Sequence, residues 1–98
     1  MVYQIEVAEP AGVDTEIFYD WHEEQSEGLG GKFIKALENA KQKIAENPFA
    51  YSVWHNEIRR FILKPFSYKI YYRIKNNIIT IFLIAHTKRS NKFLRKRY

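Results

Sequence analysis

The sequence predicts an α+β fold in a single domain, residues 1–98: an N-terminal strand, a helical hairpin, a three-stranded antiparallel meander and a short basic C-terminal segment. Three observations predict it. A short alternating run opens the chain, two stretches of helical period meet at Gly28-Leu29-Gly30-Gly31, and three strand-like runs follow Asn47-Pro48 in quick succession. With the first strand beside the meander, the sheet has four strands overall.

Val2, Tyr3, Ile5 and Val7 form the first run, which ends at Glu9-Pro10. Pro10 suits the first turn of a helix, because the amide proton it lacks would have no partner there, while Asp14 is a later candidate cap. Val13, Ile17, Phe18 and Trp21 then give this helix one apolar face as far as Gln25. The second helix places Phe33, Ile34, Leu37, Ala40, Lys41 and Ile44 on its inner side until Asn47-Pro48 stops it. Beyond a loop with Phe49, Tyr51 and Trp54, the strands are Ile58 to Leu63, Tyr68 to Lys75 and Ile78 to His86.

The meander's register follows from its turns. Asn76-Asn77 makes a two-residue hairpin because Asn tolerates positive φ, which pairs Lys75 with Ile78. Carried back without interruption, that register puts Tyr68, Ile70, Tyr72 and Ile74 on one face with Ile79, Ile81, Leu83 and Ala85. The opposite face then holds Lys69, Tyr71, Arg73, Phe82, Ile84 and His86. If Lys64-Pro65-Phe66-Ser67 pairs Leu63 with Tyr68, Arg60 and Ile62 join it.

Residues Glu57 to Tyr98 carry twelve of the sixteen Lys and Arg residues and a single acid, against a net charge of +5 for the whole chain. A charge split this large suggests a polyanion or an acidic protein as partner. No run approaches the ~20 apolar residues of a membrane span, and the start lacks the pattern of a secretory signal. Without cysteine there is no disulfide and no thiolate ligand, and His22, His55 and His86 have no second ligand at metal spacing. A cytoplasmic protein with no metal and no cofactor is the expectation.

A basic, aromatic sheet face can hold a phosphodiester backbone with its cations and stack a base on Tyr71 or Phe82; edge cations that merely discourage aggregation are the plainer reading. Cleavage of RNA through its own 2′-hydroxyl needs a base, an acid and cations for the phosphate. His86 could supply the base or the acid, Arg60 and Arg89 the positive charge, and Tyr71 or Tyr98 a proton. A lone histidine at a strand end more often bonds a nearby backbone group, which is the plainer reading of His86. His22 falls on the polar side of its helix, and Trp21 and Trp54 read as core or lid residues.

Taken in order, Glu9-Pro10-Ala11, Tyr19-Asp20-Trp21, Gly28-Leu29-Gly30 with Phe33, Asn47-Pro48, Ile58-Arg59-Arg60, Phe66 to Tyr72, and His86 with Lys88-Arg89 resemble the RelE/ParE superfamily of toxins from bacterial type II toxin–antitoxin systems. The likeness spans nearly the whole chain. It implies the same fold, a cognate antitoxin whose acidic, partly disordered segment covers the basic surface in a hetero-oligomer, and one of two targets. RelE-like members cut messenger RNA on the ribosome, and ParE-like members poison DNA gyrase. By the resemblance, Arg60, Lys69 and Arg89 match basic catalytic positions of RelE-like enzymes, with His86 a further candidate from the chemistry above. Arg95 stands at their C-terminal tyrosine and Ile62 at the second lysine of their first catalytic strand, departures that count against nuclease activity, and the Gly28-Leu29-Gly30 hairpin leans toward the ParE-like, plasmid stabilization branch. The expected binding set is Arg59, Arg60, Lys69, Tyr71, Arg73, Lys88, Arg89, Arg95 and Arg97. A basic nucleic-acid-binding domain without toxicity is the remaining reading.

Overall fold

The structure, a computed structural model, describes residues 3–87. Lys88, Arg89, Arg95 and Arg97, with Tyr98 and the rest of the expected basic C-terminal segment, lie outside the described residues.

Strand β1 (Gln4–Val7) leads through Ala8, an extended residue, into helix α1 (Glu9–Gln25), with Pro10 in the first turn as expected. Gly28, at φ 87°, turns the chain into α2 (Leu29–Glu46), a conformation that costs glycine little. Gly30 sets the distance between the helices: a Cβ there would lie 2.7 Å from Glu23 Cγ and 2.8 Å from the Tyr19 ring. Its N–H instead donates to Glu23 Oε1 at 2.9 Å, which satisfies a free amide at the start of α2.

Strands β2 (Val53–His55), β3 (Ile58–Leu63), β4 (Tyr68–Lys75) and β5 (Ile78–His86) follow. The sheet has five strands in the order β1-β5-β4-β3-β2, with β1 parallel to β5 and the other pairs antiparallel. The expected four-strand sheet therefore gains β2, read from sequence as loop. Asn56 and Glu57, at φ 47° and 62°, make a two-residue turn between β2 and β3 with both residues left-handed, which matches the twist of a hairpin.

The meander keeps the expected register at both turns, with Lys75 opposite Ile78 and Leu63 opposite Tyr68. It changes in the middle. Tyr72 faces Ile81, but Tyr71 faces Leu83, so Phe82 is an extra residue in β5 and every later side chain of that strand changes face. Ile84 thereby joins the helix side of the sheet, while Leu83 and Ala85 move to the outer side, opposite to the faces expected for all three.

Both helices lie on one side of the sheet. Phe33, Leu37, Ala40 and Ile44 of α2, with Ala11 of α1, pack against Leu63, Tyr68, Ile70, Tyr72, Ile79, Ile81 and Ile84. Removing this apolar surface from water is the main force holding the layers together. Tyr72, buried in the middle, donates its hydroxyl to the Pro48 carbonyl at 2.7 Å and so ties the sheet to the end of α2. Burial pushes its pKa up to about 12.

Helix α1 packs differently from expectation. Ala11, Phe18 and His22 turn toward the core, whereas Val13, Ile17 and Trp21 face solvent. His22 is only 7 % exposed, so it is not on the polar side of the helix, and Trp21 is not a core residue. Among the described residues, no helix is long and apolar enough to cross a membrane.

Candidate functional site

The outer face of the sheet, away from the helices, combines charge with an aromatic floor. Alternation along β3 and β4 brings Arg60, Ile62, Lys69, Tyr71 and Arg73 to this side, and the pairings of Arg60 with Tyr71 and of Ile62 with Lys69 set them next to one another. Trp54 from β2 lies edge-on to the Tyr71 ring, with centroids 5.0 Å apart. Ile58, Phe82, Leu83 and Ala85 complete this second apolar cluster. The bulge at Phe82 contributes directly: its ring lies 4.9 Å beneath the Arg73 guanidinium, a cation–π contact that fixes the outer charge.

Electrostatically the face is one-sided. No Asp or Glu occurs on β3, β4 or β5; the nearest strand acid, Glu6, sits on β1 opposite Thr80, beyond β5 at the margin. Lys69 has its pKa lowered by desolvation and then by the charge of Arg60, so the two cations are held together at a cost to the charged form of Lys69. Burial raises the pKa of Tyr71, and a hydrogen bond from Arg60, together with its charge, works in the other direction. Arg60 therefore spends one donor on Tyr71. Its Nη1 is buried with no hydrogen-bond partner among the described residues, and so is Nε1 of Trp54. Unpartnered buried donors are costly and rare in a native fold, and here two of them adjoin the same tyrosine. The arrangement suits an anionic acceptor arriving from outside.

The structure brings together Arg60, Lys69, Tyr71 and Arg73 of the expected set, separates Arg59 and His86 from them, and denies Tyr71 its expected stacking use. Arg59 has the opposite parity; its Nη1 donates to the carbonyls of Tyr51 and Phe49 at 2.6 and 3.1 Å, and its charge lies over the Phe49 ring, so it holds the loop after α2. Because of the bulge, His86 pairs with Tyr68 and emerges on the helix side, with its ring 5.6 Å from the Tyr68 ring, away from Arg60 and Lys69. Tyr71 is in the cluster but only 1 % exposed, so its ring has no free face on which to stack a base. As a general acid–base site, the described face offers Lys69 without a histidine beside it. As an anion-binding surface it is well furnished.

Trp54 is the contributor that sequence reasoning placed elsewhere. The signal for it was the Asn56-Glu57 pair between Trp54-His55 and Ile58, which spaces two strands as a tight hairpin.

Comparison with known proteins adds to this geometry. The family model described as the ParE toxin of type II toxin-antitoxin system, parDE, matches residues 5–91. Among solved structures, a chain of the chromosomal ParDE TA system from P. aeruginosa superposes with a TM-score of 0.79 at 13 % identity, covering 89 % of this chain and 98 % of that one. The isolated E. coli RelE toxin superposes with a TM-score of 0.65 at 14 % identity, covering 97 % and 95 %. No curated protein sequence matches.

Proposed function

The chain belongs to the ParE toxin family of type II toxin–antitoxin systems, and from that premise we propose that it arrests growth by binding DNA gyrase through the outer face of its sheet, in the cytoplasm, without cutting RNA. The observation that carries this reading is the composition of that face: Arg60 and Lys69 sit beside the buried Tyr71 and Arg73 lies over the Phe82 ring, while His86 is on the other side of the sheet. Such a surface can grip an acidic or phosphate-bearing partner. Among the described residues it does not supply the paired acid and base that RNA cleavage at a 2′-hydroxyl requires.

The neutralising partner is an antitoxin, as expected of the family and in keeping with the ParDE system to which the fold is similar. An acidic segment that orders on binding would cover Arg60 and Lys69, relieve their mutual repulsion, and give their donors acceptors. Toxin and antitoxin would then form a hetero-oligomer in which the target surface is occluded.

The test is induction of this chain without its antitoxin, followed by mapping of messenger RNA ends and gyrase-linked double-strand breaks in the arrested cells. Chromosome breaks with intact messages are expected. New in-frame ends on translated messages would replace this reading with the RelE-like one, for which the adjacency of Arg60 and Lys69 is the favouring observation. Salt-sensitive nucleic-acid binding without growth arrest would leave only a basic binding domain.

A further inference from the structure

On the helix side of the molecule, away from the basic face, α1 presents a surface of opposite character. Val13, Ile17 and Trp21 lie four residues apart and form a straight exposed ridge, with Ile17 at 57 % and Trp21 at 53 % exposure. This ridge runs into a groove of about 660 Å³ between α1, the start of α2 and the β3–β4 turn, walled by Leu29, Phe66 and Tyr68 besides Ile17 and Trp21. At its base is His22. Its Nε2 shares a hydrogen bond with the Tyr68 hydroxyl at 3.1 Å, while its Nδ1 is buried with no partner among the described residues. His22 is thus a polar group in a mostly apolar groove, whose lining also includes Gln25, Ser67 and His86.

The charges around it are ordered. Glu16, Asp20 and Glu24, also four residues apart and exposed, stand three residues beyond Val13, Ile17 and Trp21, and so make an acidic row beside the apolar one. Along its whole length α1 holds six acids and no Lys or Arg.

We propose that this ridge and groove dock a basic amphipathic helix of a protein partner. Its apolar row, with a Tyr or Trp anchor, enters the groove toward His22 Nδ1, and its Lys or Arg row lies along Glu16, Asp20 and Glu24. The occupant is opposite in sign to the acidic segment suited to the sheet face, so the two surfaces do not compete for one segment. The anchor's polar head bonds His22 while its ring replaces water against Trp21 and Phe66.

The test uses the whole chain and two synthetic helical peptides with the same Leu and Tyr face, one flanked by Lys and the other by Glu at every charged position, followed by calorimetry. The Lys peptide is expected to bind, to weaken as salt rises, and to exceed the Glu peptide by roughly tenfold or more. Ile17→Glu, at an exposed site that leaves the fold intact by circular dichroism, abolishes binding. Charge reversal of Glu16, Asp20 and Glu24 to Lys inverts the preference between peptides. Equal binding of the two peptides, binding of neither, or full affinity in Ile17→Glu would each overturn the proposal.

Discussion

The outer face of the sheet and the outer face of α1 are both surfaces left open by the fold, but for contrasting reasons. On the sheet, cations are held close together over buried rings, with a guanidinium nitrogen and an indole nitrogen lacking acceptors among the described residues. On α1, apolar side chains stand in water between acids, with an imidazole nitrogen beneath them lacking a partner among the described residues. The first surface is short of negative charge and the second is short of apolar cover. A chain of 98 residues has few ways to present two surfaces of such different character, and a one-sided layer of helices on a sheet supplies both. The difference teaches where mutations should act on function and where on folding.

The largest expected effect is functional. Replacing both Arg60 and Lys69 by Ala removes the adjacent cations and should weaken toxicity by on the order of a hundredfold, read as the inducer level needed for growth arrest, with a melting temperature little changed. Unchanged toxicity would mean that the sheet face is not the active surface. Between the two surfaces lies the helix contact, where effects fall on stability. Gly30→Ala drives a Cβ into Glu23 and Tyr19 and should cost about 1–3 kcal/mol in chemical denaturation. Gly31→Ala, with nothing within 4 Å, should be neutral or stabilise by up to about 1 kcal/mol. If the two substitutions behaved alike, the close approach at Gly30 would not be what sets the helix spacing.

Tyr72→Phe leaves the Pro48 carbonyl without its donor and should cost about 1 kcal/mol while sparing toxicity, since that hydroxyl points away from the basic face. The smallest effect is a pH dependence. Burial lowers the pKa of His22 below 6.5, so the unfolded chain takes up a proton that the folded protein resists. Stability should therefore fall as pH drops from 6.5 through the lower folded value, with no contribution from His22 above that window. Denaturation midpoints of wild type and His22→Phe between pH 7.5 and 5 should differ in slope on these grounds, and parallel curves would contradict the assignment.

Much of the fold was legible because its signals were local. The glycines at 28–31, the Asn47-Pro48 stop and the Asn76 turn, at φ 56°, each mark a boundary by backbone chemistry. The meander's ends were predicted for the same reason. Its middle was not, because Phe82, Leu83, Ile84 and Ala85 are apolar at both parities, and a run without alternation does not specify which residue is extra. That one bulge removes His86 from the candidate site. Helix α1 failed differently: it has two apolar rows, and the bulkier one, Val13-Ile17-Trp21, is a surface feature, while Ala11, Phe18 and His22 go inside. Periodicity finds a stripe but cannot say whether the rest of the same chain covers it. Arg60, Lys69 and Arg73 were legible as a group because they sit on adjacent strands at matching parity, ahead of the bulge or independent of it.

The most direct test is a supercoiling and DNA-cleavage assay with purified gyrase, comparing the wild-type chain with the Arg60→Ala, Lys69→Ala double variant after both are shown to fold. The account predicts that the wild type inhibits supercoiling and traps cleaved DNA, and that the double variant needs far more protein for either effect. Equal potency of the two proteins, or no effect of the wild type on gyrase, would contradict it.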